Sequence, residues 1–427
     1  MRLSVIGLGY LGVTHAVCMA SLGHEVIGID IDPARVEALS RGTLPFHEPG
    51  VGPLLTQGLD AHRLTFSTSP AEAARHATVH FLTVGTPQRA ESPAADLSQV
   101  HAAVDSLIPA LPPGEHLVVG KSTVPVGTAA ELALRARERA PEGVDVEIAW
   151  NPEFLREGHG VEDTLAPDRI VIGVNSDAAA RTLSSVYAEP IGAGAPLLRM
   201  DLASAELVKS AANAFLATKI SFINAMAEVC EAAGADISHL SRALGLDSRI
   251  GPRFLHAGLG FGGGCLPKDI RAFIARAEEL GVPESLAFLS EVDAINQRRR
   301  LRAVSLAEEM LGGVEGRRVT VLGAAFKPHS DDTRDSPALA VAEALRARGA
   351  RVTVYDPEVR VGTAPSLEGA LEGAELLILA TEWECFRTLD PRLTGRLTAA
   401  RRIIDARNVL CAEEWRREGW QVRALGR

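Results

Sequence analysis

Near the start of the chain the apolar run Leu3 to Ile6 leads without a spacer into Gly7-Leu8-Gly9-Tyr10-Leu11-Gly12. Helix-compatible sequence follows, then a second apolar run, Glu25 to Ile29, closing on Asp30. Few folds accept that order. A strand that turns on glycine into a helix, returns as a neighbouring strand and ends on an acid makes a βαβ unit whose turn receives a pyrophosphate. The glycines clear the backbone for the phosphates, and the helix N-terminus stabilises their charge. Gly7, Gly9, Tyr10, Leu11 and Gly12 are thus the expected cofactor contacts. Asp30 can accept from both ribose hydroxyls and would repel a 2′-phosphate, so NAD is expected over NADP. Arg35 is placed to reach the adenosine side; its alternative is an ordinary helix-surface charge.

Strand-like runs recur at Val79 to Val84, Leu117 to Gly120, Glu147 to Trp150 and Ile170 to Val174, with helix-like spacing between most of them. That rhythm predicts an α/β, Rossmann-like, doubly wound parallel sheet, which binds ligands beyond the carboxyl ends of its strands. Three polar loops fall on that rim: Gly85-Thr86-Pro87, the run Ser122 to Thr128, and Asn151-Pro152-Glu153-Phe154-Leu155-Arg156-Glu157-Gly158. Each alone is ordinary turn chemistry. Three on one rim predict a site.

No Pro or Gly interrupts Ser204 to Ala233, which predicts a helix of about 45 Å. Leu207, Ala211, Phe215, Thr218, Phe222, Met226 and Val229 form a mostly apolar stripe along it, suited to a subunit or domain interface. Lys209, Asn213 and Asn224 lie opposite. Ala212, Ala217 and Ile220 share their side, so the helix is expected to be buried all round, with a ligand as the partner of Lys209 and Asn213. Downstream stands Gly260-Phe261-Gly262-Gly263-Gly264-Cys265-Leu266-Pro267-Lys268-Asp269. Four glycines in five positions let a bulky ligand lie on the backbone beside a cysteine flanked by charge. A thiol there becomes a nucleophile if positive charge or N–H groups stabilise the thiolate. The plainer reading is an incidental cysteine. After the cluster Arg298-Arg299-Arg300, strand-like runs at Arg317 to Leu322, Arg351 to Tyr355, Leu376 to Ala380 and Arg402 to Ile404 repeat the α/β rhythm. This second nucleotide-binding-like unit lacks an intact GxGxxG; its first turn keeps Gly323 and gains Lys327, which suits a phosphate outside NAD.

A chain of 427 residues with 46% apolar and 23% charged residues is a globular protein of two or three domains. Its net charge of −10 argues against nucleic acid or an anionic membrane as partner. Of 44 basic residues only Lys121, Lys209, Lys219, Lys268 and Lys327 are lysines, so a retained ammonium is a candidate for specific work. The five cysteines are scattered without a CxxC, which points to a reducing cytosol and no metal site. No long apolar run or export signal is read, and a cytoplasmic location is expected.

With GLGYLG at 7–12, STVPVGT at 122–128, NPEFLREG at 151–158, AELVKSAANAFLATKISFINAMAE at 205–228, GFGGGCLPKD at 260–269 and FKPHSDDTRDSP at 326–337, the chain resembles the UDP-glucose/GDP-mannose dehydrogenase family over nearly its whole length. The resemblance implies an NAD domain (1–200), a central helical domain forming a homodimer (201–300) and a C-terminal UDP-sugar-binding, Rossmann-like domain (301–427). It implies oxidation of a nucleotide sugar's C6 alcohol to a carboxylate in two NAD-dependent steps, with UDP-glucose the expected sugar. Carried over by motif, Cys265 would trap the aldehyde, and Lys209 and Asn213 would hold the oxyanion. Asp269 would support the water or proton chemistry, and Thr123 and Glu157 would place a water. Glu153, Phe154, Leu155, Arg156 and Glu157 would line the substrate, with Phe254, Leu255, His256, Ala257, Gly258 and Gly262. Lys327 would bind its phosphate or sugar region, and Arg249 would reach it from the partner subunit. Thr86, Thr123, Glu157, Lys268 and Arg334 would touch NAD. One departure is Gly264, where the family usually carries serine.

Rival readings are a single-step dehydrogenase of the 6-phosphogluconate or 3-hydroxyacid type, which has no need of Cys265, and a non-catalytic NAD sensor, which has no need of Cys265, Lys209, Asn213 and Asp269 together. Within the family, GDP-mannose or a UDP-N-acetylhexosamine are the alternative sugars.

Overall fold

A computed structural model of the chain describes residues 1–360 and 362–427. It comprises two compact units, Met1–Ala212 with Glu278–Leu280, and Asn213–Ala277 with Gly281–Arg427.

The first unit contains β1 (Arg2–Ile6), β2 (Glu25–Ile29), β3 (Leu64–Ser67), β4 (Val79–Leu82), β5 (Gly114–Gly120), β6 (Val144–Trp150), β7 (Ile170–Gly173) and β8 (Leu197–Met200). They lie in the order β3-β2-β1-β4-β5-β6-β7-β8, so the winding reverses between β1 and β4. Neighbours run parallel except β6 and β7, which meet antiparallel at Trp150 and Gly173. Each face is buried in its own apolar core: Leu3, Val5 and Phe81 pack on one side, Ile6, Leu82 and Val118 on the other. Burial on both faces is why the central strands are near-continuous apolar runs.

His80 interrupts that apolar strand. Its Nδ1 lies 2.7 Å from the Ser4 hydroxyl and its Nε2 3.3 Å from His116 Nδ1, all buried. Burial first, and His116 second, push the ring's pKa from 6.5 down to about 3. Folding therefore favours the neutral ring. The stabilisation is fully present above the unfolded pKa of 6.5 and is lost as pH falls from there towards 3. His80→Met removes the titrating group at similar volume. Between pH 6 and 4 the wild type is expected to lose stability more steeply than this variant, by about 1.4 kcal/mol per pH unit. Parallel melting-temperature profiles for the two proteins would refute this.

The second unit contains β9 (Arg318–Leu322), β10 (Arg351–Tyr355), β11 (Leu376–Leu379), β12 (Arg402–Asp405) and β13 (Gln421–Ala424), in the order β10-β9-β11-β12-β13, all parallel. Its second strand also ends on an acid, Asp356, but that carboxylate is saturated. Oδ2 accepts from Ala324 N, Ala325 N and Trp383 Nε1 at 2.8, 3.0 and 3.1 Å, and Oδ1 from Glu358 N and Val359 N at 2.9 and 3.1 Å. About four lone-pair sites are thus fully used. That carboxylate has no acceptor left for a ribose diol.

The uninterrupted stretch folds as the single helix Leu202–Ala233. The expectation that it is buried all round is not met. Lys209, Asn213 and Asn224 are 5%, 6% and 0% exposed, whereas Phe215 and Val229 of the stripe are 67% and 56% exposed. Ala214, Ala217 and Ile223 pack inward while Phe215, Phe222 and Val229 point out. Asn224 is held by the protein itself, accepting from Gly258 N at 2.9 Å.

Candidate active site

In the first unit the three glycines of the turn serve different needs. Gly7 has φ +97°, which only glycine adopts freely, and a Cβ on Gly12 would overlap the Gly7 carbonyl. Gly9 has nothing within 4 Å of where a Cβ would stand, leaving the backbone open to a ligand. The helix Tyr10–Ser21 begins there with no side-chain cap, so its first N–H groups suit a pyrophosphate. Asp30 accepts from Leu8 N at 2.7 Å, Asp32 N at 3.0 Å and the Arg35 guanidinium at 3.2 Å. That leaves one lone pair open, and the partly exposed Arg35 can move aside. These residues fit a dinucleotide.

On the rim, the Thr86 hydroxyl donates to the Thr123 carbonyl at 2.8 Å and Ser122 Oγ to the Val84 carbonyl at 2.6 Å, tying the loops after β4 and β5 together. Glu153 accepts from Leu155 N at 2.6 Å and pairs with Lys209 Nζ at 3.0 Å. Phe154 is fixed by the Arg169 guanidinium, 3.8 Å from its ring centroid. Arg156 is exposed and forks onto Asp163. Beneath them Lys121, 7% exposed, donates to Asn151 Oδ1 at 3.0 Å and Tyr187 Oη at 3.3 Å. Burial pushes its pKa down to about 8; nearby Glu153 opposes the shift and Lys209 adds to it. Glu153 thus pairs with one buried lysine, Lys209, and acts electrostatically on a second, Lys121.

In the second unit Cys265 is exposed and forms no disulfide, at the start of the helix Leu266–Glu279. Its carbonyl accepts from Asp269 N at 2.9 Å, so the thiol stands at the helix's positive end. Asp269, 4% exposed, accepts from Asn213 Nδ2 and from Lys268 Nζ, both at 2.6 Å. The glycine loop is anchored from several sides. Asn296 bonds both the N–H and the carbonyl of Phe261, at 2.8 and 2.9 Å, and Arg407 reaches the Gly260 carbonyl at 3.0 Å. A Cβ on Gly264 would meet the Arg334 guanidinium, the mobile end of an exposed side chain. Arg334 itself forks onto Asp332, and Lys327 Nζ stands 5.3 Å from the Phe326 ring centroid.

Within the segment 254–258, Leu255 and Ala257 bury their side chains in an apolar cluster, so they can offer a ligand only their backbone. Phe254 has φ +65°. A Cβ on Gly262 would meet the Asp335 carbonyl and Pro337. Arg249, 86% exposed at its side chain, pairs with Asp247. Sequence reasoning missed Glu48, Arg407 and Asn296. Their partners are mostly backbone groups distant in sequence, and no motif marks such pairings.

Family models match three successive segments: the NAD-binding domain of the UDP-glucose/GDP-mannose dehydrogenase family at residues 1–191, its central domain at 203–298 and its UDP-binding domain at 320–412. A UDP-glucose 6-dehydrogenase of Rhizobium meliloti (strain 1021) is 40% identical over 440 aligned positions, covering 100% of both chains. The chain belongs to the UDP-glucose/GDP-mannose dehydrogenase family. A UDP-glucose 6-dehydrogenase of Pseudomonas aeruginosa is 41% identical across 100% of this chain and 98% of its own. Among solved structures, a UDP-glucose dehydrogenase from Pyrobaculum islandicum superposes with TM-score 0.89 at 43% identity, covering 97% of this chain and 96% of that one. A GDP-mannose dehydrogenase from Pseudomonas aeruginosa gives 0.57 at 27% identity with full coverage of both. As a member of this family the chain is an NAD-dependent oxidoreductase with a Rossmann-type NAD domain and a nucleotide-sugar-binding domain. Among the described residues no helix is long and apolar enough to cross a membrane.

Proposed function

We propose that this chain oxidises the C6 alcohol of UDP-glucose to the carboxylate of UDP-glucuronate in two NAD-dependent steps at Cys265. The observation that carries the chemistry is an exposed thiol at a helix N-terminus, beside a buried Asp269 held by Asn213 and Lys268. The sugar follows from whole-length relatives of that name at about 40% identity, against 27% for the GDP-mannose enzyme.

Gly7, Gly9, Gly12 and Asp30 would hold NAD, which would supply the hydride acceptor for each step. Lys209 stabilises the alkoxide as the C6 hydroxyl proton leaves, either through Asp269 or through a water placed by Thr123 and Glu157. The Cys265 thiolate adds to the aldehyde to give a thiohemiacetal; loss of a second hydride from C6 gives a thioester. Water cleaves it to the acid and regenerates the thiol. Asn213 supports the oxyanion. Glu153 to Glu157, Phe254 to Gly258 and Gly262 line the substrate, and Lys327 takes its phosphate or sugar region. Thr86, Lys268 and Arg334 contact NAD beside Asp30. Three functional regions, 1–200, 201–300 and 301–427, are assigned to NAD, dimerisation with the cysteine loop, and UDP-sugar.

The exposed Leu207, Phe215, Phe222 and Val229 support a homodimer along the long helix, with Arg249 crossing to the partner. Five scattered cysteines without a CxxC support a cytoplasmic location, which cell fractionation checks. The decisive assay supplies UDP-glucose, GDP-mannose and UDP-N-acetylhexosamines with NAD or NADP. Expected are turnover with UDP-glucose, two NADH per sugar and poor use of NADP that improves in Asp30→Ala. Sedimentation should report the mass of two chains. One NADH per sugar, or a faster reaction with another sugar, would overturn the reading, and a single-chain mass would remove the dimer.

A further inference from the structure

Glu48 lies in the polar stretch that precedes the helix Val51–Asp60 and is 5% exposed. A buried carboxylate needs donors, and Glu48 has three. Oε2 accepts from the Tyr10 hydroxyl at 2.8 Å and from Gly158 N at 2.6 Å; Oε1 accepts from Gly160 N at 2.7 Å. Tyr10 belongs to the glycine turn, and Gly158 closes the loop that contains Glu153 and Glu157. One carboxylate therefore bridges the cofactor turn and the substrate loop. The fit is close: a Cβ on Gly160 would stand 2.8 Å from the Tyr10 hydroxyl and 3.2 Å from Glu48 Oε1. Phe46, two residues before Glu48, also packs on the Tyr10 ring at 5.3 Å between centroids. Burial, and then Glu48, hold the Tyr10 hydroxyl firmly protonated, so it remains a donor to the carboxylate.

We infer that Glu48 is a positioning residue through which binding at the cofactor turn orders the substrate loop. This rests on the proposed function only in taking residues 151–158 as the sugar-side loop. A dinucleotide that orders Tyr10 also orders Glu48 and the N–H groups of Gly158 and Gly160. The second ligand then meets a loop already fixed and loses less conformational freedom on binding. The coupling is reciprocal, so the sugar nucleotide tightens the dinucleotide by the same factor.

NADH and UDP-glucose form an unreactive pair, so their mutual effect on affinity can be measured by titration calorimetry without turnover. In the wild type each should tighten the other at least about fivefold. Glu48→Gln keeps the volume but sets an amide NH2 against a backbone N–H, releasing one end of the bridge. The coupling factor should then fall towards one. Tyr10→Phe should do the same from the other end, without leaving a buried charge unpaired, and the double variant should lose nothing further. A merely structural Glu48 would lower the melting temperature and leave the coupling intact; that result, or no coupling in the wild type, overturns the inference. If Glu48→Gln does not fold, Tyr10→Phe decides alone. Coupling seen with another nucleotide sugar, but not with UDP-glucose, would fault the substrate assignment and leave the bridge standing.

Discussion

Replacing Cys265 by alanine is expected to cut acid formation by at least about 10³-fold, as removal of a covalent nucleophile does. The thiol is exposed, so the substitution creates no buried cavity, and stability should change by less than about 0.5 kcal/mol. An intact fold with lost activity separates chemistry from folding. Cys265→Ser is the sharper probe. Its adduct would be oxidised to an oxygen ester that water cleaves more slowly, and intact-protein mass spectrometry after brief exposure to substrate should find the added mass. A single-step dehydrogenase would be nearly indifferent to either change. Near-normal acid formation by Cys265→Ala would end the covalent scheme.

Lys209→Met is expected to lower kcat/KM by about 10²- to 10³-fold, the usual effect of losing one group that stabilises a developing oxyanion. NADH binding should be unaffected. A simpler account is that Lys209 only neutralises Glu153, its partner at 3.0 Å. Breaking a buried pair is itself costly, because one charge is left alone. Lys209→Met with Glu153→Gln distinguishes the two. If Lys209 acts on the substrate, the double variant stays inactive while recovering stability. Recovery of activity along with stability would reduce Lys209 to a counter-ion.

The long helix was legible almost to the residue, expected from 204 to 233 and found as Leu202–Ala233, because nothing within it could break a helix. Strands buried on both faces were legible for a similar reason. β3, β8 and β13 were not: they are four-residue edge strands whose sequences mix polar with apolar residues, and half-solvated pairing leaves no apolar run to read. The candidate site divides in the same way. Its glycine turn and cysteine loop announce themselves, since backbone clearance requires glycine. Glu48 does not: its acceptors' partners stand 110 and 112 residues away and are backbone N–H groups that any residue could provide. Lys121 was conspicuous only as a scarce lysine, and its contact with Tyr187 arises from the tertiary fold.

The saturated Asp356 has a consequence for the order of events. Of the acids that close the second strand of each unit, Asp30 and Asp356, only Asp30 retains an open acceptor, so of these two only Asp30 is placed to take the ribose of a dinucleotide. In the proposed two-step scheme both oxidations would share that one berth, and the first spent dinucleotide would have to depart before its replacement docks. During that exchange the half-oxidised sugar is neither starting material nor product, and a reactive carbonyl free to diffuse would escape. In the proposed scheme the Cys265 sulfur would hold it through the changeover. On this view the glycine-lined cysteine serves retention as much as reactivity, and it follows from the second acid being closed by its own fold.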